Sequence, residues 1–345
     1  MQTEASLATF DAIPRGGDAP DWVRDGITAA WLDEGATPAI TLISVSENAT
    51  FRVAAEGVRP MVVRLHQPGY VGDAGHVRSE LQWIEAIIRE TDIRTAAPVH
   101  GRNGDLVQSI VDAGGVTWLA VGFELLTGSI LEEHDDLAPY FTEIGAITAQ
   151  LHEHARAWQR PAGFVRFDWT LDDMVGPQPR WGSWERAALS PVEREQLRRA
   201  QTAALDTLVD VGPAALESGL IHADLRPSNI MIDGDALQVI DFDDSGFSFY
   251  LYDFASALTF YEHRPEAQAM AANWIDGYRT VTELSIDQLR ASAALSMVRR
   301  LTMLGWLTTH RQDALPPELW NEMQPGTVEL AGRYLAEPLW LVDPR

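Results

Sequence analysis

The residues best suited to chemistry lie in one stretch, Leu220-Ile221-His222-Ala223-Asp224-Leu225-Arg226-Pro227-Ser228-Asn229-Ile230-Met231-Ile232. An apolar run enters, a short polar loop turns, and an apolar run leaves, with an aspartate in the loop and an asparagine five residues later. Asp241-Phe242-Asp243-Asp244 comes next, behind the strand-like Leu237-Gln238-Val239-Ile240. Two strands joined by the Asp233-Gly234 turn form a hairpin, and a hairpin sets the loop before its first strand beside the loop after its second. Asp224, Asn229 and Asp241 are therefore expected at one end of a small sheet. That grouping suits phosphoryl transfer, which needs a carboxylate to accept or orient the proton of an attacking hydroxyl, and hard oxygen ligands to hold Mg²⁺ against the phosphates. Asp224 is assigned as the base, and Asn229 and Asp241 as metal ligands. Asp243 is a contact to a second metal or to substrate, and His222 a brace that fixes the loop by hydrogen bonds. Asp and Asn are also ordinary turn residues. The specificity lies in the combination: H-x-D, Asn at plus five, a downstream D-F-D, and strands on both sides.

The rest of the chain must position these groups. Residues 1–20 are polar and rich in Gly, Pro and Asp, and read as a loose lead-in. Residues 21–34 have helical spacing, with Trp22, Ile27, Ala30 and Trp31 on one side. Ala39–Val45, Ala49–Ala54 and Pro60–Leu65 are short β-branched segments parted by turn residues, which predicts a strand meander. Val77, Leu81, Ile84 and Ile88 predict a helix over 77–90. Leu106–Asp112 and Thr117–Leu125 are two further strands, split by Ala113-Gly114-Gly115. After Leu126 the pattern turns helical, over 137–155, 191–211, 266–283 and 286–310. The chain thus reads as α+β, with a small sheet-rich N-terminal part and a larger helical C-terminal part joined near Phe123–Gly128. Ligands often lie at such joints.

His222-Ala223-Asp224-Leu225-Arg226-Pro227-Ser228-Asn229 and Asp241-Phe242-Asp243 resemble the catalytic loop and metal-binding segment of the aminoglycoside phosphotransferase and choline kinase family. Type II homoserine kinases and hydroxylysine kinases are similar, as are some bacterial serine/threonine kinases. The resemblance covers roughly residues 25–310. It implies a bilobal protein-kinase-like fold, with an antiparallel-sheet N-lobe carrying one helix over 21–122, a hinge at 123–128 and a mostly helical C-lobe over 129–345. It also implies ATP (or GTP) and Mg²⁺, with nucleotide between the lobes. Family members carry a lysine on the third strand, paired to a glutamate on the next helix. Here Arg64, in Met61-Val62-Val63-Arg64-Leu65-His66, stands at that lysine position and Glu80 is its partner. The turn at Ser46-Glu47-Asn48-Ala49-Thr50 is similar to one that faces the phosphates in this family, which implicates Ser46 and Asn48. The hinge backbone at Glu124 and Leu126 would bind adenine. Asp253 matches a position that anchors the catalytic loop, with a helix N-cap as the alternative. Arg226 replaces a frequent histidine or other polar residue, and is read as neutralising transferred phosphate or pairing with an acid.

Composition narrows the function further. The net charge of −24 disfavours nucleic acid and anionic membranes; it reads as serving solubility or a salt-rich habitat, with attraction of a cationic partner as the alternative. There is no cysteine, which excludes disulfides and thiolate chemistry. There is no lysine either, so a G-x-x-x-x-G-K phosphate loop is excluded and every side-chain cation other than histidine is arginine. No apolar run approaches the roughly 20 residues that span a bilayer, and no signal peptide is visible, so a cytoplasmic protein is expected. His152 and His154 sit two apart, the wrong spacing for zinc on a helix, and read as structural. Trp158, Trp169, Trp181 and Trp184, with Asp168, Asp172 and Asp173 nearby, read either as core packing with solvated acids or as the lining of a site for a cationic acceptor. The expected acceptor is a small hydroxylated molecule bearing an amine. A serine/threonine protein kinase and a nucleotide-binding module without catalysis are the alternatives.

Overall fold

A computed structural model describes residues 7–10, 12–310 and 315–342. The chain divides into two compact units, Met1–Thr127 with Arg160–Val165, and Gly128–Gln159 with Arg166–Arg345.

The first unit is built on an antiparallel sheet of β1 (Ala39–Val45), β2 (Asn48–Ala54), β3 (Met61–His66), β4 (Pro98–Val99), β5 (Val107–Val111) and β6 (Thr117–Glu124), ordered β1-β2-β3-β6-β4 with β5 also paired to β6. Alternation makes the sheet two-faced. Ile40, Leu42, Phe51, Val53, Met61, Val63 and Leu65 form a buried apolar cluster with Val23 and Ile27 of α1 (Asp21–Trp31), Ile110 and Trp118. The intervening positions of β3 include Arg64, which reaches α2 (Ala74–Glu90). Asp73 starts α2 by accepting from the amides of Gly75 and His76. The short β4 has no signature of its own in the sequence.

The second unit is mainly helical: α3 (Phe141–Ala157), α4 (Leu171–Val175), α5 (Pro191–Val211), α6 (Tyr252–Ala257), α7 (Ala267–Arg279), α8 (Ile286–Leu307) and α9 (Pro317–Ala336). Pro139 holds the start of the expected 137–155 helix as a separate 3₁₀ turn at Ala138–Tyr140, so α3 begins at Phe141. α3 and α7 approach closely at Gly145 and Gly277. A Cβ there would lie 2.0 Å from Trp274 O and 1.8 Å from Thr142 O. α8 is capped by Ser285 and Gln288 in a reciprocal box. It is buried without a break from Ala291 to Trp306, as befits the central helix of a unit. Two three-stranded sheets complete the unit. One joins β7 (Ser129–Ile130), β10 (Ile230–Asp233) and β11 (Ala236–Val239); the other joins β8 (Phe167–Asp168), β9 (Ser218–Ile221) and β12 (Gly246–Phe249). Among the described residues no helix is long and apolar enough to cross a membrane.

The β5–β6 turn carries a test of the first unit. Asp112 accepts from the amides of Gly114 (2.8 Å) and Val116 (2.9 Å) and from Trp118 Nε1 (3.0 Å). The Trp118 bond first, then the Val116 amide, hold its carboxyl below the usual 3.8. A carboxyl whose folded pKa is depressed contributes stability above its unfolded value and loses it as pH falls through the folded one. Asp112→Ala is expected to lower the Tm at pH 7 by roughly 2–3 °C. The gap to the native chain should close as pH drops below 3.8. Thermal melts between pH 7 and 3 read this directly, and a gap that does not vary with pH contradicts it.

Candidate active site

Strand β9 ends at Ile221, β10 starts at Ile230, and the residues between form a tightly tied loop. Arg226 N donates to Asp224 O (2.9 Å) and Asn229 N to Arg226 O (2.8 Å). β10 and β11 pair antiparallel about the Asp233–Gly234 turn, with Ile230 opposite Val239. Ile240 N then donates to Asn229 O (2.9 Å), which stitches the end of β11 to the loop before β10. Asp224, Asn229 and Asp241 accordingly stand at one end of this hairpin.

His222 lies beneath the loop. Its Nε2 donates to Ile240 O (3.2 Å), its Nδ1 accepts from Asp224 N (3.3 Å), and its ring packs on Phe242 at 4.5 Å. Asp253, in the first turn of α6, is wholly buried. It caps nothing: its oxygens accept from His222 N (3.1 Å), Ala223 N (2.8 Å) and His152 Nε2 (3.1 Å). His152 is held in turn by the Tyr278 hydroxyl at 3.0 Å. Burial first of all pushes the Tyr278 phenol up to about 12, so it is neutral at physiological pH.

The Asp224 carboxylate is held on both oxygens. Oδ2 accepts from Asn229 Nδ2 (2.7 Å) and Arg226 Nε (3.2 Å), and Oδ1 from Arg299 Nη2 (2.5 Å). Burial opposes the charge on Arg226, but Asp224 and Glu132 outweigh it and raise the pKa. The Arg226 guanidinium lies 5.3 Å from the Phe260 ring. Backbone strain gathers here. Among the described residues the only non-glycine positions at positive φ are Ala223 (67°), Asp241 (63°) and Phe260 (76°), and such strain is characteristic of functional sites.

The Asp241–Asp244 segment is held by groups from earlier in the chain. Buried Arg166 donates from Nε to Ser245 O (2.6 Å) and from Nη2 to Asp243 O, while Trp169 Nε1 donates to Asp244 O (2.8 Å). Trp169, Trp181 and Trp184 are core residues. Asp168 and Asp172 are solvated, and Asp173 forms a capping box with Thr170.

In the first unit, Arg64 Nη2 meets Glu80 Oε1 at 2.5 Å with both side chains buried, and the guanidinium lies 5.4 Å from the Phe123 ring. Asn48 is buried beside Ser46, whose amide donates to Asn48 O (3.0 Å). Glu124 closes β6, its side chain pairing with Arg59, and Leu126 follows it outside any strand.

The donor set beside Asp224 suits a hard divalent cation. The amide nitrogen of Asn229 is committed to Asp224, to its main-chain O (2.8 Å) and to Oδ2, which leaves Oδ1 as an acceptor whose one neighbouring donor among the described residues is Ser228 Oγ at 3.5 Å. Asp241, an exposed residue, follows Ile240, whose amide is bonded to Asn229 O. Amide and carboxylate oxygens are the donors Mg²⁺ prefers. Among the described residues no group of three or more His, Asp and Glu is placed to hold a metal. Two protein oxygens suit an ion whose remaining ligands are phosphate and water. Asp243, two residues on from Asp241, has its main-chain oxygen bonded by Arg166.

Arg299 and Arg166 carry no signature in the sequence that ties them to the loop, whereas His152, read as structural, is bonded to Asp253 and Tyr278. A signal did exist for Arg299: Arg299-Arg300 interrupts an otherwise apolar stretch in the middle of a helix. Buried arginines need partners, which makes such a pair worth tracing.

Residues 39–289 match the model of a phosphotransferase enzyme family. An amicoumacin kinase of Bacillus subtilis (strain 168) is 24% identical over 190 residues, 53% of this chain and 52% of that protein. A homoserine kinase of Sinorhizobium fredii (strain NBRC 101917 / NGR234) is 28% identical over 182 residues, 52% of each. The chain thus spans about half the length of the curated relatives it matches. Among solved structures, a microcompartment-associated aminopropanol kinase is 33% identical with a TM-score of 0.80, covering 92% of this chain and 98% of that one. An amicoumacin kinase solved with AMP-PNP and Ca²⁺ gives a TM-score of 0.69 at 18% identity over 90% of this chain and 92% of that one, a likeness of fold. The fold of this chain is the α+β, protein-kinase-like fold of these phosphotransferases.

Asp253 is where the loop can be undone. Replacing it with alanine leaves two buried amides and a buried imidazole without their acceptor, at about 1–3 kcal/mol each. Asp253→Ala is expected to cost about 3 kcal/mol or more in urea unfolding. A loss below about 1 kcal/mol would contradict the bracing role.

Proposed function

We propose that this chain, which belongs to the phosphotransferase enzyme family, transfers the γ-phosphate of ATP to the hydroxyl of a small amine-bearing alcohol. The observation that carries the reading is the Asp224 carboxylate, fixed by Asn229, Arg226 and Arg299 at the hairpin end that also presents Asp241. Asp224 accepts the hydrogen of the acceptor hydroxyl and aims its oxygen at the phosphorus. In a loose, metaphosphate-like transition state the proton leaves late, so an acceptor held in place serves better than a strong, mobile base. Asn229 Oδ1 and the Asp241 carboxylate would hold Mg²⁺, with Asp243 beside them. When bound, that ion neutralises charge on the β- and γ-phosphates. His222 and Asp253 keep the loop in its strained form. On the nucleotide side Arg64 is assigned to the phosphates, with Glu80 orienting it. Ser46 and Asn48 cover the phosphates, and the main chain at Glu124 and Leu126 receives the base. Arginine presents a fixed charge and a planar fork there, where the kinase pattern has lysine.

An amine on the acceptor is supported by the charge around Asp224. Glu132 and Asp244 act electrostatically on Arg226 and Arg299 respectively, so two further carboxylates lie near the arginines that hold Asp224, within a chain of net charge −24. The 33% identity to an aminopropanol kinase over nearly its whole length makes amino alcohols the first acceptors to try.

Asp224→Ala should lower kcat by about 10³-fold while Mg·ADP affinity stays within about threefold. Retained turnover would remove the assignment. ADP release with Mg·ATP or Mg·GTP should be stimulated by 1-amino-2-propanol, ethanolamine or homoserine. Stimulation only by serine-containing basic peptides would make the chain a protein kinase, and ADP binding without any turnover would make it a non-catalytic module.

A further inference from the structure

Resting on the phosphotransfer reading, the geometry points to Arg299 of α8 as a positioning residue that sets the plane and direction of the Asp224 carboxylate. Arg299 is 1% exposed. Its Nε donates to Thr259 Oγ1 (3.1 Å), its Nη1 to Ala223 O and Tyr252 OH (3.3 Å each), and its Nη2 to Asp224 Oδ1 (2.5 Å). The guanidinium lies 5.2 Å from the Trp181 ring and 5.5 Å from the Tyr252 ring. A buried cation is costly unless its donors are met, and each of the three nitrogens here has an acceptor. The charge is kept: burial works against it, yet the Tyr252 and Asp224 oxygens raise the pKa.

Two features separate this arrangement from ordinary core satisfaction. First, Arg299 grips the loop at consecutive residues, the carbonyl of Ala223 at its positive φ and the carboxylate of Asp224, and so fixes both ends of the peptide that aims Asp224. Second, the work is divided between two guanidinium groups. Arg226 and Asn229 take Oδ2, while Arg299 takes Oδ1 from the opposite element. One oxygen alone would leave the carboxyl free to rotate. Arg299 is closed off from solvent, with four of its five N–H groups engaged, so its effect passes through Asp224. Neighbouring Arg300 fixes the rotation of α8 that makes this possible. It donates to Glu262 Oε2 (2.7 Å) and Thr327 Oγ1 (2.8 Å) in a wholly buried cluster.

The test is a double-mutant cycle with Mg·ATP and 1-amino-2-propanol, read by single-turnover quench alongside Mg·ADP binding. Arg299→Lys keeps a positive charge but cannot reach Thr259, Ala223, Tyr252 and Asp224 together. Its kcat should fall roughly 10- to 100-fold with the Mg·ADP Kd within about twofold of the native chain. Arg299→Gln should fall further, so that lysine partly rescues. In an Asp224→Asn background either change should cost less than about threefold. Equal losses in both backgrounds, or a loss confined to Kd, overturn the inference. If Arg299→Gln does not fold, the Arg299→Lys cycle decides. A crystal structure of Arg299→Lys needs no acceptor and is expected to show Asp224 displaced or split between rotamers. An unmoved Asp224 rejects the positioning role whatever the chain acts on, whereas a native chain that phosphorylates no alcohol rejects the kinase reading alone.

Discussion

The buried carboxylate of Asp253 is the constraint on which the rest of the site depends. A fully buried anion is tolerated only when hydrogen bonds replace its hydration. Here the donors are the amides of His222 and Ala223 and the His152 imidazole. Meeting that demand bends the chain at Ala223 into a left-handed conformation. The bend turns the loop so that Asp224 faces Asn229 and Arg299 rather than continuing β9. The structural histidine on α3 and the functional loop are thus one network, and its far end is the neutral Tyr278 phenol.

Charge in the site is arranged against the background of a strongly acidic chain. Without lysine, two of the acids in and behind the second unit's site are met by guanidinium groups: Asp224 by Arg299 and Arg226, and Glu262 by Arg300. Guanidinium groups do not lose their proton on burial and hold planar partners at fixed angles. They suit a site where transition-state stabilisation comes from placement more than from proton affinity. Burial first of all raises the pKa of Glu262, and Arg300 opposes that rise. Such a pair is a weak source of net stability, but it fixes how α8 is rotated.

Much of this site could be read in the chain because its central element is local. A hairpin with an Asp-Gly turn, flanked by polar loops, needs only about twenty consecutive residues to bring Asp224, Asn229 and Asp241 to one end. The alternation in β1 to β3 and the 3.6-residue spacing in α5 and α8 are local in the same sense. What could not be read is what arrives from far along the chain. His152 reaches Asp253 across 101 residues, Arg299 reaches Asp224 across 75, and Arg166 reaches Ser245 across 79. No periodicity encodes such meetings. α9 escaped notice for a different reason: Pro325 lies inside it and breaks the helical pattern that would have announced it. Asp253 carried two readings, cap or anchor, and only its partners separate them.

The central claim is that Asn229 and Asp241 collect a metal–nucleotide complex beside Asp224. Anomalous scattering from crystals grown with ADP and Mn²⁺ measures this without reference to any acceptor. The account predicts a manganese peak at about 2.1–2.2 Å from both Asn229 Oδ1 and an Asp241 carboxylate oxygen, with phosphate oxygens completing the shell. A manganese–ADP complex bound elsewhere, with these two side chains left unligated, would contradict it.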